Sequence, residues 1–145
     1  MLACAMLGID INYACPKGYE PAEDVVERTK ALAEKNGSSV VHTTDPVEAV
    51  RDAHVVYTDV FISMGEEHLK DKMEAFDGYQ VNEAMVSHMD ENWSFMHCLP
   101  AHRGEEVTDW VMTTSRASCS TKQRTECGRK CPSWPISSTK APGPP

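Results

Sequence analysis

The strongest constraint on the fold is the regular alternation of strand-like and helix-like segments along the first 98 residues. Four segments have the alternating or β-branched composition of short strands: residues 9–15, 39–43, 54–58 and 94–98. Five segments have the apolar spacing or the start signals of helices: residues 1–7, 21–36, 45–53, 66–76 and 82–88. Strands that alternate with helices at this spacing predict an α/β fold with a doubly wound parallel sheet.

Local signals mark where several of these helices begin and end. Pro21 suits the first position of the second helix, where its missing N–H costs nothing. Gly37 follows the last turn of that helix and suits a left-handed cap. Asp45, with Pro46 behind it, is expected to cap the third helix.

Charge and composition divide the chain after residue 110. The net charge is −8, but residues 1–110 hold 8 Lys and Arg against 21 Asp and Glu, whereas residues 111–145 hold 6 against 1. The acidic first part argues against nucleic-acid binding, which needs a basic face. Residues 111–145 are rich in Ser, Thr and Pro and have no apolar period, so we expect a disordered tail. A flexible tail and translation in a foreign reading frame both account for this composition.

The six cysteines suggest neither a disulfide framework nor a metal site. Cys4, Cys15 and Cys98 lie in apolar runs, where free Cys is commonly a small buried hydrophobe. The three cysteines of residues 111–145 lack the spacing and the nearby His of a zinc site. No glycine-rich phosphate loop indicates a nucleotide cofactor, and no apolar run approaches the ~20 residues that span a membrane. We therefore expect a cytoplasmic protein without a cofactor, a metal or a membrane partner.

Candidate chemistry lies at the carboxyl ends of the third and fourth predicted strands, where open α/β sheets bind their ligands. Asp59 follows the third strand. Its carboxylate could accept hydrogen bonds from loop N–H groups, or it could bind an ammonium ligand. Cys98 ends the fourth and is either structural or a nucleophile activated by a cation or a helix end. A zinc site shared with His97 is disfavoured, because adjacent residues of a strand point to opposite faces.

Two neighbouring features each have two interpretations. Ser63, with Glu66 three residues on, makes a capping box for the next helix. The same helix start would present N–H groups to a bound carboxylate. Arg103 could bind an anion, or it could form an exposed ion pair with Glu105 or Glu106.

Two blocks of sequence together resemble the ornithine carbamoyltransferases. They read TDVFISMGEE from Thr58 and HCLPAHRGEEVTD from His97, and the resemblance covers roughly residues 1–109. It implies the Rossmann-like ornithine-binding domain of that family. It also implies transfer of a carbamoyl group from carbamoyl phosphate to the δ-amine of ornithine, giving citrulline and phosphate in arginine biosynthesis.

The same resemblance implies roles for five residues. Asp59 would bind the α-ammonium group of ornithine, and Ser63 and Met64 would belong to the loop that closes over it. Cys98 would lie near the reacting amine and carbonyl. The backbone carbonyl of Leu99 would accept a hydrogen bond from the carbamoyl amide. Ornithine and carbamoyl phosphate are therefore the expected small-molecule partners.

The chain also departs from the family pattern. The carbamoyl-phosphate domain, with its Ser-Thr-Arg-Thr-Arg and His-Pro-x-Gln segments, has no counterpart in these residues, so the chain by itself is expected to be inactive. The family homotrimer is built largely through that domain. The family strand order 3-2-1-4-5 lacks its central first strand here. That predicts a gap between the strands at 9–15 and 39–43 and those at 54–58 and 94–98.

Two other functions fit the same sequence. A non-catalytic binding or regulatory module would keep the ornithine-domain fold and use its basic tail, residues 111–145, for a partner. A carbamoyltransferase for a related amine would share the fold, although the Ser63-Met64-Gly65 segment disfavours it.

Overall fold

The computed structural model describes residues 1–62, 70–114 and 116–119, and helices and strands alternate along it as predicted. The helices are α1 (Leu2–Met6), α2 (Glu23–Asn36), α3 (Pro46–Val50), α4 (Lys70–Ala75), α5 (Glu83–Val86) and α6 (Asp109–Thr113). The strands are β1 (Ile11–Ala14), β2 (Val40–Thr43), β3 (Val55–Thr58), β4 (Ser94–His97) and β5 (Ala117–Cys119). The predicted α/β class with parallel strands is confirmed.

The described strands form two separate parallel sheets. In the first, β1 pairs with β2, and Ile11 lies opposite Val40. In the second, β4 lies between β3 and β5, and Thr58 of β3 lies opposite His97 of β4. Among the described residues, no hydrogen-bonded ladder joins β1 to β3. The predicted division of the strands into two groups is therefore confirmed.

Local backbone geometry marks both ends of α3. The Asp45 side chain accepts a hydrogen bond from the Val47 N–H at 2.9 Å, which confirms the predicted cap. The helix ends at Val50, earlier than the predicted Ala53, because the backbone leaves the helical region at Arg51, with ψ 124°, and Asp52 then adopts a left-handed φ of 56°. Asp tolerates this region better than most residues.

The start of α2 differs from the sequence prediction. The helix begins at Glu23, because Ala22 is extended, with ψ 133°, and so Pro21 precedes the cap instead of occupying the first turn. Its end agrees with the prediction, since Gly37 takes the left-handed conformation at the cap, with φ 74°.

The main apolar core lies between one face of the β3–β4–β5 sheet and the helices α3, α5 and α6. Its buried members are Val50, Val56, Val81, Met85, Val86, Met89, Trp93, Phe95, Val107, Val111, Met112 and Ala117. On the opposite face of the same sheet, Val55 and Tyr57 of β3 are 51% and 59% exposed. In the part of the chain that is described, this sheet is therefore buried on one face and open on the other.

The first part of the predicted disordered tail is ordered. Helix α6 continues to Thr113, and β5 adds a third strand to the sheet, with the Phe95 N–H donating to the Arg116 carbonyl at 3.0 Å. The Arg116 guanidinium lies 5.4 Å from the centre of the Trp93 ring. The prediction of disorder from residue 111 is wrong for residues 111–114 and 116–119. The composition of a segment does not reveal whether it pairs with a strand that is distant in the sequence. Residues 120–145 lie outside the described part.

Across the described residues, none of the helices has the length and apolar character that crossing a membrane requires.

Candidate functional site

The site begins with the register of two neighbouring parallel strands. Thr58 of β3 lies opposite His97 of β4. Asp59 and Cys98 directly follow these two residues, so they lie next to each other at the ends of the strands. The Cys98 thiol donates a hydrogen bond to Asp59 Oδ1 at 2.7 Å. The same oxygen accepts from the Val60 N–H at 2.7 Å. The two residues that the sequence placed at one crevice are thus in direct contact, and both are exposed to solvent.

The electrostatic surroundings keep the Cys98 side chain protonated. Desolvation, followed by the hydrogen bond and the charge of Asp59, raises the pKa of Cys98 above its ordinary value. Desolvation and then hydrogen bonding with Cys98 raise the pKa of Tyr57 as well. A nucleophilic cysteine needs the opposite shift, toward the thiolate. Cys98 is therefore a hydrogen-bond donor beside a carboxylate, and its exposure also rules out the interpretation as a buried hydrophobe.

Leu99 has an unusual backbone conformation directly after Cys98. Its φ is 58°, in the left-handed region, and its peptide bond to Pro100 is cis. A branched residue seldom adopts positive φ unless surrounding contacts hold it there. The Leu99 N–H donates to His97 Nδ1 at 2.8 Å, which supplies one such contact.

His97 and Cys98 point to opposite faces, as the strand geometry predicts. The His97 residue is 3% exposed, and its Nε2 atom lies 3.3 Å from Glu106 Oε1. A zinc ion bound by both His97 and Cys98 is therefore excluded on geometric grounds, since the ring and the thiol lie on different sides of β4.

Glu106 is a site residue that sequence reasoning missed. The sequence offered it only as one of several alternatives for Arg103, but its side chain is fully buried, and Arg103 pairs with Asp109 instead. The Glu-Glu pair at 105–106 has the appearance of a solvated loop, and no local pattern distinguishes Glu106 from the exposed Glu105.

One group of residues offers donor atoms to a metal. Single ligand atoms of His102, Glu105 and Glu106 lie within 4.8 Å of one another. Two of these residues are exposed, and they already contact each other at 3.7 Å. Glu106 Oε1 accepts a hydrogen bond from the His102 N–H. These contacts account for the cluster without a metal, and we assign none.

Two predicted site residues, Ser63 and Met64, lie outside the described residues. A cavity of about 320 Å³ lies among the described residues, and Phe61, Phe76, Gln80 and Gly104 are among those that line it. Asp59 and Cys98 do not line this cavity. The described part of the site is therefore the exposed edge formed by Asp59, Cys98 and Leu99.

A comparison with protein families shows the family to which this chain belongs. The family model described as aspartate/ornithine carbamoyltransferase, Asp/Orn binding domain, matches residues 1–125. This chain belongs to the aspartate/ornithine carbamoyltransferase family. The match passes beyond residue 109, where the resemblance in the sequence was expected to end, and includes α6 and β5.

Relatives within the family are named as ornithine carbamoyltransferases. The catabolic enzyme of Thermoplasma acidophilum is 55% identical over 112 residues, which are 77% of this chain and 37% of the relative. The ornithine carbamoyltransferase of Bacillus subtilis is 52% identical over 109 residues, 74% of this chain and 34% of the relative. The chain therefore spans little more than a third of the length of the curated relatives it matches.

Solved structures of the family give the same result. The ornithine carbamoyltransferase of Pyrococcus furiosus has a TM-score of 0.77 and 45% identity, covering 81% of this chain and 38% of that one. The enzyme of Gloeobacter violaceus has a TM-score of 0.73 and 38% identity, covering 81% and 39%. The described fold is thus similar to a little more than a third of each of these two chains.

Proposed function

We propose that this chain carries the ornithine-binding side of an ornithine carbamoyltransferase site. The observation that supports this most directly is the 2.7 Å contact between the Cys98 thiol and Asp59 Oδ1. It brings the two blocks of sequence that resemble the family together at the carboxyl ends of β3 and β4, where α/β sheets bind ligands.

The proposed roles are those that the resemblance to the family implies. Asp59, an exposed carboxylate, binds the α-ammonium group of ornithine, and Cys98 beside it faces the δ-amine. The Leu99 carbonyl accepts a hydrogen bond from the carbamoyl amide, and Ser63 and Met64 belong to a loop that closes over the ligand. The thiol acts as a hydrogen-bond donor and orienting group, because its pKa is raised.

The reaction is a displacement at the carbamoyl carbon. The δ-nitrogen of ornithine forms a bond to that carbon, the bond from carbon to the phosphate oxygen breaks, and the nitrogen loses a proton as phosphate leaves. The attacking amine must be neutral, although a free alkylamine titrates near 10.4, and desolvation in a closed site favours the neutral form. Holding the two substrates together supplies most of the acceleration.

The ornithine side is half of such a site, so the 145 residues by themselves should not catalyse the transfer. The phosphate-binding segments that the resemblance implies are not among them. The purified chain, incubated with ornithine and carbamoyl phosphate, is expected to form no citrulline above a blank without protein. Citrulline production that depends on the chain would contradict this part of the proposal.

Ornithine binding is the direct test of the Asp59 role. Calorimetric titration of the chain with L-ornithine should give a weak signal that Asp59→Asn abolishes, because the substitution removes the charge facing the ammonium group. Asp24→Asn is the matched control, since Asp24 is exposed in the first turn of α2 and should leave the titration unchanged.

The ligands provide a second comparison. N-acetyl-L-ornithine has no α-ammonium charge and putrescine has no α-carboxylate, so both should bind more weakly than ornithine. Putrescine that binds as well as ornithine would favour a carbamoyltransferase for a related amine. Equal binding of ornithine by the parent chain and by Asp59→Asn would remove Asp59 from the role.

A further inference from the structure

Behind Cys98, on the buried face of β4, lie two ionisable side chains that the proposed reaction does not use. His97 and Glu106 are nine residues apart, and both side chains are 0% exposed. A buried carboxylate and a buried imidazole are costly to desolvate unless their polar atoms find partners. The hydrogen bonds of His97 and Glu106 therefore indicate the structural role of each side chain.

Each side chain holds one backbone N–H of the segment between them. His97 Nδ1 accepts from the Leu99 N–H at 2.8 Å. Glu106 Oε1 accepts from the His102 N–H at 2.5 Å and contacts His97 Nε2 at 3.3 Å. The Nε2 contact is electrostatic and is not aligned as a hydrogen bond, and Glu106 Oε2 has no hydrogen-bond partner among the described residues.

These contacts define the protonation of the His97 ring. A ring nitrogen that accepts a hydrogen bond carries no proton, so Nδ1 is bare, and the single proton of a neutral imidazole sits on Nε2. Nε2 lies 3.3 Å from Glu106 Oε1 but makes no hydrogen bond to it. Nδ1 carries no proton and therefore accepts the hydrogen bond from the Leu99 N–H.

Glu106 is itself fixed to the rest of the molecule. Its carbonyl accepts from the Val81 N–H at 2.9 Å, and the Gly104 N–H donates to the Val107 carbonyl at 2.8 Å. The Gln80 side chain donates to the carbonyl of Gly104 at 2.8 Å. His97 is fixed in turn by its place in β4. The segment that carries Cys98 and Leu99 is therefore held at both ends by anchored residues.

We propose that His97 and Glu106 form a buried brace that positions Cys98 and Leu99 for ornithine and the carbamoyl group. The inference rests on the proposed function, since Cys98 and Leu99 have their chemical roles only there. Both brace residues are positioning residues, because neither reaches the exposed edge where a ligand would bind. Without the brace, the left-handed Leu99, with φ 58°, loses the acceptor for its N–H.

A pair of His97 variants separates the two ring contacts. Asn places its side-chain oxygen near the position of Nδ1, so His97→Asn keeps an acceptor for the Leu99 N–H. Gln extends to the position of Nε2, so His97→Gln keeps the contact with Glu106 and loses that acceptor. Iodoacetamide alkylation of Cys98 at neutral pH, followed by mass spectrometry of the peptide that contains it, reports how the thiol is held against Asp59.

The two substitutions should have different effects. His97→Gln should speed alkylation roughly three- to tenfold, the range expected for one lost hydrogen bond, because the thiol is released from the Asp59 carboxylate. His97→Asn should stay within about twofold of the parent chain. Equal rates in both variants would overturn the brace.

Glu106 provides a second pair in case His97 variants fail to fold. Glu106→Gln keeps an oxygen for the His102 N–H and should behave like the parent chain. Glu106→Leu fills the same buried space without an acceptor and should speed alkylation as His97→Gln does. If Leu and Gln give the same rate, the brace is contradicted. Far-UV circular dichroism identifies the variants that are folded and therefore comparable.

The tautomer of the His97 ring can be measured on the unaltered chain, with a variant needed only to assign the signal. In nitrogen-15 spectra of histidine-labelled chain, the His97 ring should show a bare Nδ1 and a protonated Nε2, and its signals are identified by their loss in a folded His97 variant. A His97 ring protonated on Nδ1 at neutral pH would overturn the proposal.

Ornithine titration of the same samples separates the two proposals. The alkylation rates and the ring tautomer could be as the brace predicts while ornithine does not bind. The proposed function would then fail, and the brace would not belong to an ornithine site. If ornithine binds through Asp59 and the variants do not differ in alkylation, the proposed function stands and the brace fails.

Discussion

At the scale of single residues, the candidate site depends on which groups neighbour one thiol. Cys98 donates to a carboxylate, and the raised pKa of its thiol follows from desolvation and from that negative neighbour. A cation in the place of Asp59 would have produced the reactive thiolate that sequence reasoning left open for Cys98. Desolvation and the negative neighbour both favour the protonated thiol, which supports the proposed role of Cys98 as an orienting group.

The charge of Asp59 should be visible in the pH dependence of Cys98 alkylation. A carboxylate stabilises the protonated thiol, so Asp59→Asn should lower the pKa of Cys98 and move the midpoint of the alkylation profile to lower pH. At a fixed pH below the midpoint, the variant is then alkylated faster. Asp24→Asn should leave the profile of the parent chain unchanged, and an upward shift in Asp59→Asn would contradict this electrostatic account.

At the scale of elements, β5 is the strand that the composition of the chain did not predict. Its three residues occur in a basic, Ser-rich segment, yet they pair with β4, and Arg116 lies against the ring of Trp93. Phe95, at the centre of β4, is fully buried. Without β5, β4 would have an open edge in this sheet.

Two shortened chains test the contribution of β5. A chain ending at residue 114 should lose roughly 2 kcal/mol of unfolding free energy relative to one ending at residue 125, since it lacks the β4–β5 hydrogen bonds and part of the cover of the core. Both chains keep Trp93 and Trp110, so urea unfolding can be followed by fluorescence. Equal urea midpoints would show that β5 adds nothing to stability.

Sequence patterns located most elements, and where they failed, the cause was an interaction between distant residues. Periodicity and caps predicted α2, α3 and the first four strands, because these depend on neighbouring residues. The alternative of an exposed ion pair between Arg103 and Glu106 was wrong, since the burial of Glu106 depends on its contact with His97 of β4. Residues 117–119 were wrongly expected to be disordered, since their order depends on a partner more than twenty residues away.

At the scale of the whole molecule, the two sheets leave strand β3 with apolar side chains in solvent. Val55 and Tyr57 are about half exposed or more, and β3 has one neighbouring strand among the described residues. Unsatisfied buried groups cost ~1–3 kcal/mol each, against a typical domain stability of ~5–15 kcal/mol. Open, apolar strand edges also favour association between chains.

The 145-residue chain is therefore expected to be poorly stable and prone to aggregation. Its thermal unfolding, followed by circular dichroism, should show a broad or early transition, with light scattering that grows with protein concentration. A cooperative transition of the monomer above ~50 °C, within the usual range for stable domains, would contradict this prediction.

The sequence by itself determined the alternation of helices and strands and the two residues that meet at the strand ends, whereas the division of the strands into two groups was predicted from the strand order that the family resemblance implies. It could do so because periodicity, caps and two specific motifs are local properties. Only the tertiary structure decided the face on which His97 meets Glu106, the neighbour that keeps the Cys98 thiol protonated, and the order of β5. Each of these depends on atoms that the fold brings together from distant parts of the chain.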